Sequence, residues 1–78
     1  MMNKAEQVKY EIQFKVIYGE EIKTDISKRT AKRVAEMIIK EMESLESYYL
    51  HKMGYDETDY NKDKEILNKM LGIAKSYC

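Results

Sequence analysis

Four cations that fall within one short stretch of the chain are the side chains most suited to bind an anionic partner. They are Lys28, Arg29, Lys32 and Arg33. At the start of a helix they oppose the helix dipole, and the same arrangement attracts phosphate or an acidic protein surface. A solvated face, with Lys32 paired to Glu36, is the commoner explanation of such a cluster. We nevertheless retain the four cations as candidate partner-binding residues, because cations at a helix start are electrostatically unfavourable and such exceptions are more frequent at functional sites.

A second set of polar residues has the spacing of metal ligands. Asp59, Asn61 and Asp63 match the first ligands of a calcium-binding EF-hand loop. That loop also needs glycine at its sixth position and glutamate at its twelfth, where this chain has Lys64 and Met70. We therefore interpret Asp59 or Asn61 as a helix cap and expect no calcium site.

The remaining reactive groups do not form a catalytic set. His51 is the only histidine and Cys78 the only cysteine, which excludes an internal disulfide and a cysteine-rich zinc site. The carboxylates near His51 have no nucleophile, oxyanion site or glycine-rich phosphate loop to act with. The sequence therefore predicts no catalytic residue, no metal and no cofactor, and a protein that is not an enzyme. Two thin layers would also leave little room for a pocket.

Several tyrosines gather around a predicted corner between two helices. They are Tyr48, Tyr49, Tyr55 and Tyr60. Tyrosine is enriched at binding hot spots, but in a small protein it also completes the core with its hydroxyl at the rim. Tyr48 lies at the margin of the apolar stripe of its helix. We expect it to point outward and add it to the candidate partner-binding residues.

The elements that must position these residues begin with an alternating pattern. Apolar side chains occupy every second position at Val8, Tyr10, Ile12, Phe14, Val16 and Tyr18. This period is typical of a half-buried strand, so the chain is predicted to form a strand over about 7–18. The pattern resumes over 22–26 after Gly19, which suits the positive backbone angle of a tight turn. Only an odd-length loop, of three or five residues, unites the apolar residues on one face.

Two helical patterns follow the predicted hairpin. A wide apolar stripe predicts a long helix over about 28–53, with Ser27 as its cap and Gly54 just past its end. A second helix is predicted over about 62–77, with Gly72 inside it, where close approach to the first helix would explain the glycine. The expected fold is α+β, a two-layer β-β-α-α unit in a single domain over residues 1–78.

The first predicted strand is longer than the second, which leaves part of its edge without a partner. Proteins rarely leave such an edge open. Pairing with the same strand of a second copy would cover it, with Val8, Tyr10 and Ile12 at the dimer edge. The alternative is that the first strand frays or pairs with water. A core this small also favours association, since neither disulfides nor a metal reinforce it.

Composition limits the other partners and the compartment. The chain has 78 residues with 14 basic and 14 acidic side chains, so its net charge is zero and exerts no overall pull on nucleic acid or anionic membranes. No apolar run is long enough to span a bilayer, and the first residues are not of signal-peptide type. We expect a cytoplasmic protein with no membrane partner.

These observations favour a small cytosolic protein-binding module, an adaptor or inhibitor of the kind that phages and other mobile elements carry, acting as a homodimer. The partner protein is not identified by the sequence. The alternative is a nucleic-acid-binding regulator that uses the strand ribbon and the basic helix start. A strand followed by two helices resembles ribbon-helix-helix repressors, which would direct Lys9, Gln13 and Lys15 to bases. The second strand and the length of the predicted first helix depart from that fold.

Overall fold

The structure is a computed structural model, and it describes residues 3–51 and 57–78. It contains three helices: α1 (Lys4–Tyr18), α2 (Lys28–His51) and α3 (Glu57–Ser76). Throughout the described residues there is no strand, so the predicted α+β fold with a hairpin at 7–18 and 22–26 is wrong. The predicted end of the long helix, with Gly54, lies outside the described residues.

The alternating pattern that suggested a strand is compatible with α1 because of the helix repeat. Successive residues of an α-helix are about 100° apart, so residues two apart lie on nearly opposite faces, about 200° apart. The buried face of α1 carries the aliphatic members of the pattern, Val8, Ile12 and Val16. The opposite face carries its aromatic members, Tyr10, Phe14 and Tyr18. Each set follows an i, i+4 spacing along the helix. The same alternating residues would share one face of a strand, whereas in the helix they occupy two opposite faces.

The segment predicted as the second strand is extended chain that runs back along α1. Gly19 ends α1 with φ of 75°, so the positive angle predicted for it occurs at a helix end and not in a hairpin. Further on, the Glu11 carboxylate accepts the backbone N–H groups of Lys23 and Thr24 at 2.8 and 3.2 Å, and the Thr24 hydroxyl as well. A side chain thus satisfies backbone donors that a strand would have paired.

The sequence predicted the start of α2 correctly and the start of α3 incorrectly. Helix α2 begins after Ser27, whose hydroxyl oxygen accepts the Thr30 N–H at 3.2 Å, so the predicted cap is confirmed. Helix α3 begins at Glu57, earlier than predicted, and therefore contains Asp59, Asn61 and Asp63. The interpretation of Asp59 or Asn61 as the cap of this helix is therefore wrong, because both residues lie inside it.

The three helices share one core. Helices α2 and α3 run antiparallel. Tyr49 stacks on Tyr60 with ring centroids 4.5 Å apart, and one turn along each helix the Lys64 Nζ lies 3.6 Å from the Glu46 Oε1. Helix α1 lies alongside them and contributes its aliphatic face. The buried side chains are Ala5, Val8, Ile12, Val34, Ala35, Ile38, Leu67, Met70 and Ala74. The long axis of the molecule is 41 Å.

Helix α1 runs in the same direction as α2 and covers its middle. Near its start, Asn3 and Ala5 lie beside Arg33 and Met37, at the borders of a small cavity. Halfway along, the Lys9 ammonium pairs with Glu41. Toward its end, Gln13 and Ile17 face Ser44 and Leu45 across a larger cleft. This direction requires the nine residues from Gly19 to Ser27 to return along α1 before α2 can begin.

Candidate protein-binding surface

Helix α1 exposes an apolar stripe on the side that faces away from the core. We call this stripe the α1 outer face; it consists of Tyr10, Phe14, Ile17 and Tyr18. Their exposed fractions are 43, 42, 42 and 71%. Phe14 and Tyr18 contact each other one turn apart, with ring centroids 6.0 Å apart and planes tilted by 50°. The face therefore presents aromatic and aliphatic surface to solvent over more than two helical turns.

The area of this face is large for so small a molecule. Large aromatic side chains present roughly 200 Å² each, so the exposed parts of the three rings and of Ile17 amount to about 400 Å². That is within the range of the largest apolar patch on a typical monomer, about 300–600 Å², and such patches are often binding sites. The core does not need these side chains, because the opposite side of α1 already fills it.

A cleft adjoins the α1 outer face where the three helices meet. Its volume is about 440 Å³, and Ile17 belongs both to the cleft and to the outer face. The floor is apolar and is formed by Leu45, Ile66, Leu67 and Met70. The rim carries Gln13, Glu41, Ser44 and Asp63. The expectation that two thin layers would leave little room for a pocket is therefore wrong, since three helices enclose this cleft, which is suited to receive an apolar side chain of a partner.

The three residues predicted to form a dimer edge do not lie together. Val8 and Ile12 have no exposed surface and belong to the core, whereas Tyr10 is on the α1 outer face. Within residues 3–51 and 57–78 there is no strand edge for a second copy to extend. The predicted route to a dimer is wrong, because the backbone groups of these residues are hydrogen-bonded inside a helix. Sequence reasoning missed Phe14, Ile17 and Tyr18, which an i, i+4 reading of the same pattern would have found.

The four cations of the candidate partner-binding set lie where the sequence placed them, in the first turns of α2. All four are exposed, and none forms an ion pair with any residue of the described ranges. The expected pairing of Lys32 with Glu36 is not formed. Arg33 borders a small cavity beside the start of α1, together with Asn3 and Lys40.

Tyr48, the remaining candidate, is 44% exposed, in agreement with its predicted outward direction. Its neighbour Tyr49 instead stacks on Tyr60 between α2 and α3. The Lys64 ammonium lies 5.6 Å from the centre of the Tyr60 ring. Tyrosines here thus close the corner between the helices, while Tyr48 remains accessible. The fourth tyrosine of the predicted cluster, Tyr55, and the side chain of His51 lie outside the described residues.

Electrostatics distinguish one carboxylate on α1. Hydrogen bonds from the Thr24 hydroxyl and the Lys23 backbone N–H lower the pKa of Glu11, because they stabilise its charged form. Gln7 lies beside the same contact and donates to the Thr24 hydroxyl oxygen at 3.3 Å. Glu11 therefore holds Lys23 and Thr24 of the segment between α1 and α2 against α1.

Other classes of site find little support in the parts of the chain that are described. No group of three or more His, Cys, Asp or Glu side chains there is arranged to hold a metal ion. None of the three helices, over its described residues, has the length and apolar composition that crossing a bilayer requires. Comparison with family models, curated proteins and solved structures found no match to this chain.

Proposed function

We propose that this chain is a cytoplasmic protein-binding module, an adaptor or inhibitor, that binds its partner through the α1 outer face. The observation that carries the proposal is the second apolar face of α1. One face of the helix, which carries Val8 and Ile12, is buried in the core. The other exposes three aromatic rings that contribute nothing to that core, and aromatic side chains are the residues enriched at binding hot spots.

The chemistry of the face favours a protein as the ligand. Its rings and Ile17 offer apolar contact area, and the adjoining cleft has an apolar floor with a polar rim. That combination of an apolar centre and a polar border is the usual anatomy of a protein interface. Binding by an amphipathic helix laid along α1 would place its apolar side chains against the outer face and one of them in the cleft.

The proposal is tested by affinity capture from the native host with matched variants. Phe14→Glu places a charge at the centre of the outer face, and we expect it to reduce partner recovery at least about tenfold, as truncation of a hot spot does. Ile39→Glu is the control. Ile39 is 41% exposed on α2, two turns before Glu46 and thus on the flank toward α3, away from α1.

The outcomes separate binding from folding. Circular dichroism should give the same helix content for wild type, Phe14→Glu and Ile39→Glu, since both positions are substantially exposed. A partner that is recovered by wild type and by Ile39→Glu, but not by Phe14→Glu, supports the proposal. Equal recovery by all three proteins, or recovery of nothing by a wild type that also does not associate with itself, would contradict it.

A second candidate function is nucleic-acid binding through the start of α2. The observation in its favour is that Lys28, Arg29, Lys32 and Arg33 are exposed and form no ion pair with the described residues. The strand ribbon that was to assist them does not exist in the described chain, and the net charge is zero. A titration of labelled duplex at low salt decides this candidate. Binding must fall steeply with added salt and must be lost in Arg29→Glu/Arg33→Glu.

A further inference from the structure

We infer that the partner on the α1 outer face is a second copy of this chain, packed with its α1 antiparallel to the first across a twofold axis near Phe14. This inference rests on the proposed use of that face for protein binding, and it names the occupant. An isologous contact of this kind requires a face that complements itself. The stripe from Tyr10 to Tyr18 is centred on Phe14. A twofold rotation about Phe14 therefore places Phe14 against the same residue of the second copy, and Tyr10 against Tyr18.

The distribution of charge along the molecule favours a second copy over an unrelated helix. Residues 23–33, at the start of α2, contain five basic and one acidic side chain. The opposite end comprises the last half of α2 and the first half of α3. Its described residues, 41–51 and 57–65, contain seven acidic and two basic side chains. Each copy therefore carries a positive and a negative end, while the whole chain has no net charge to oppose self-association.

The position of α1 determines how these ends meet. Gln13 and Ile17 face Ser44 and Leu45, so Phe14 lies nearer the end of α2 than its start, and an antiparallel pair of α1 helices centred on Phe14 sets the two copies side by side with a stagger. The basic starts of α2 then lie at opposite ends of the dimer. A parallel pair would place them together, which is unfavourable. Charge therefore favours the antiparallel arrangement.

The area that such a contact buries is sufficient for a weak dimer. Two outer faces bring together about 800 Å² of apolar surface, and with the polar share usual at interfaces the total is about 1,300 Å². Specific interfaces begin at about 1,200 Å². We therefore expect an association weak enough to depend on concentration, which can be followed from about 3 to about 300 µM.

Sedimentation velocity over that concentration range is the first test. Wild type should show a concentration-dependent shift from monomer to dimer, and Phe14→Glu should weaken association at least about tenfold. Ile39→Glu should associate as wild type does. A wild-type monomer at every concentration, or equal association by Phe14→Glu, would overturn the inference.

Disulfide trapping tests the direction of the two helices, in a Cys78→Ser background to remove the native thiol. In the antiparallel dimer position 14 faces its own copy, and position 10 faces position 18. Phe14→Cys should therefore cross-link with itself. Tyr10→Cys should cross-link with Tyr18→Cys when the two proteins are mixed, and much less with itself. Efficient cross-linking of Tyr10→Cys alone would show a parallel pair and overturn the inference.

Failure of this inference can be told apart from failure of the proposed function. If wild type stays monomeric but still captures a host protein through Phe14, the second copy is the wrong occupant and the outer face remains a binding surface. If wild type neither associates nor captures a protein through Phe14, the inference and the proposed function are both wrong. Association that Phe14→Glu abolishes supports both.

Discussion

Helix α1 and helix α2 distribute their apolar side chains in different ways. In α2 the fully buried residues Ala31, Val34 and Ile38 form a single stripe, and charged side chains occupy much of the rest of the helix surface. In α1 the aliphatic stripe in the core has an aromatic counterpart on the opposite side, which solvent reaches. The first pattern is sufficient to bury a helix in a small core. The second contains more apolar surface than the core can use.

This difference teaches where to look for function when no motif indicates it. Exposed apolar residues scattered singly, such as Ile39 and Leu50 on α2, are normal on a protein surface. Four of them aligned along one side of one short helix form a continuous face, and such faces mark binding sites. The binding proposal therefore depends on the two faces of α1 having separate roles. Stability measurements on variants of each face test whether the roles are separate.

The largest effect should come from comparing the two faces directly. We expect Ile12→Ala to lower the free energy of unfolding by about 3 kcal/mol, because it leaves a cavity in the core. Phe14→Ala should lower it by less than about 1 kcal/mol, since its ring is not needed for the core. Urea unfolding followed by circular dichroism measures both. Equal costs are what a strand with both residues on one face would give, and they would contradict the helical arrangement.

The two glycines within the described residues, Gly19 and Gly72, should respond in opposite directions to alanine. Gly19 has a positive φ at the end of α1, so Gly19→Ala should lower the free energy of unfolding by about 1–2 kcal/mol. A Cβ at Gly72 inside α3 would meet no atom within 4 Å, and Gly72→Ala should raise it by about 0.5–1 kcal/mol. Thermal unfolding of the two variants is the measurement, and changes of the same sign would contradict these conformations.

The starts of α1 and α2 provide a matched pair of smaller effects. Asn3 accepts the Glu6 N–H at 2.9 Å, and Ser27 accepts the Thr30 N–H at 3.2 Å. Replacing either cap by alanine should lower the free energy of unfolding by about 1 kcal/mol. Replacing the same residue by glycine should cost only a few tenths, about 0.3 kcal/mol, which serves as the control. Similar losses for alanine and glycine would indicate that the caps do not act through their side chains.

The smallest effect concerns Glu11 and its dependence on pH. Its folded-state pKa lies below the ordinary glutamate value of 4.5, so the stability from its charged form is present above that value and is lost as pH falls through the folded pKa. At pH 7, Glu11→Gln should cost less than about 1 kcal/mol, because the side chain is only partly buried and solvent screens its charge. The difference from wild type should shrink as the pH is lowered below 4.5. A difference that does not change with pH would exclude a role for the charge.

Several local features followed from residue types and spacing. The cap at Ser27, the positive φ of Gly19 and the start of α2 each depend on side-chain chemistry within a few residues, so the sequence predicted them correctly. The start of α3 was placed too late, because its polar first turns lack an apolar period. The presumed close approach at Gly72 does not occur, since nothing lies near enough to require a glycine there.

The candidate surface could be predicted only in part, for the same reason that α1 was misassigned. Alternation of apolar residues at 8–18 is satisfied by one face of a strand or by two faces of a helix, and the residues themselves do not choose between them. Reading it as a strand joined Val8, Tyr10 and Ile12 at one edge, whereas the helix separates Tyr10 from the other two. The charged start of α2 was found correctly, because it depends on sequence neighbours alone.

The sequence by itself determined the cap at Ser27, the opposite charges of the two ends and the positions of apolar residues along the chain, since these are fixed by residue type and order. Tertiary structure decided which of those residues are buried. Helices α2 and α3 form a groove that takes one aliphatic stripe, and filling it with Val8 and Ile12 from a helix leaves Phe14 in solvent. That choice depends on packing between residues distant in sequence, which no local pattern contains.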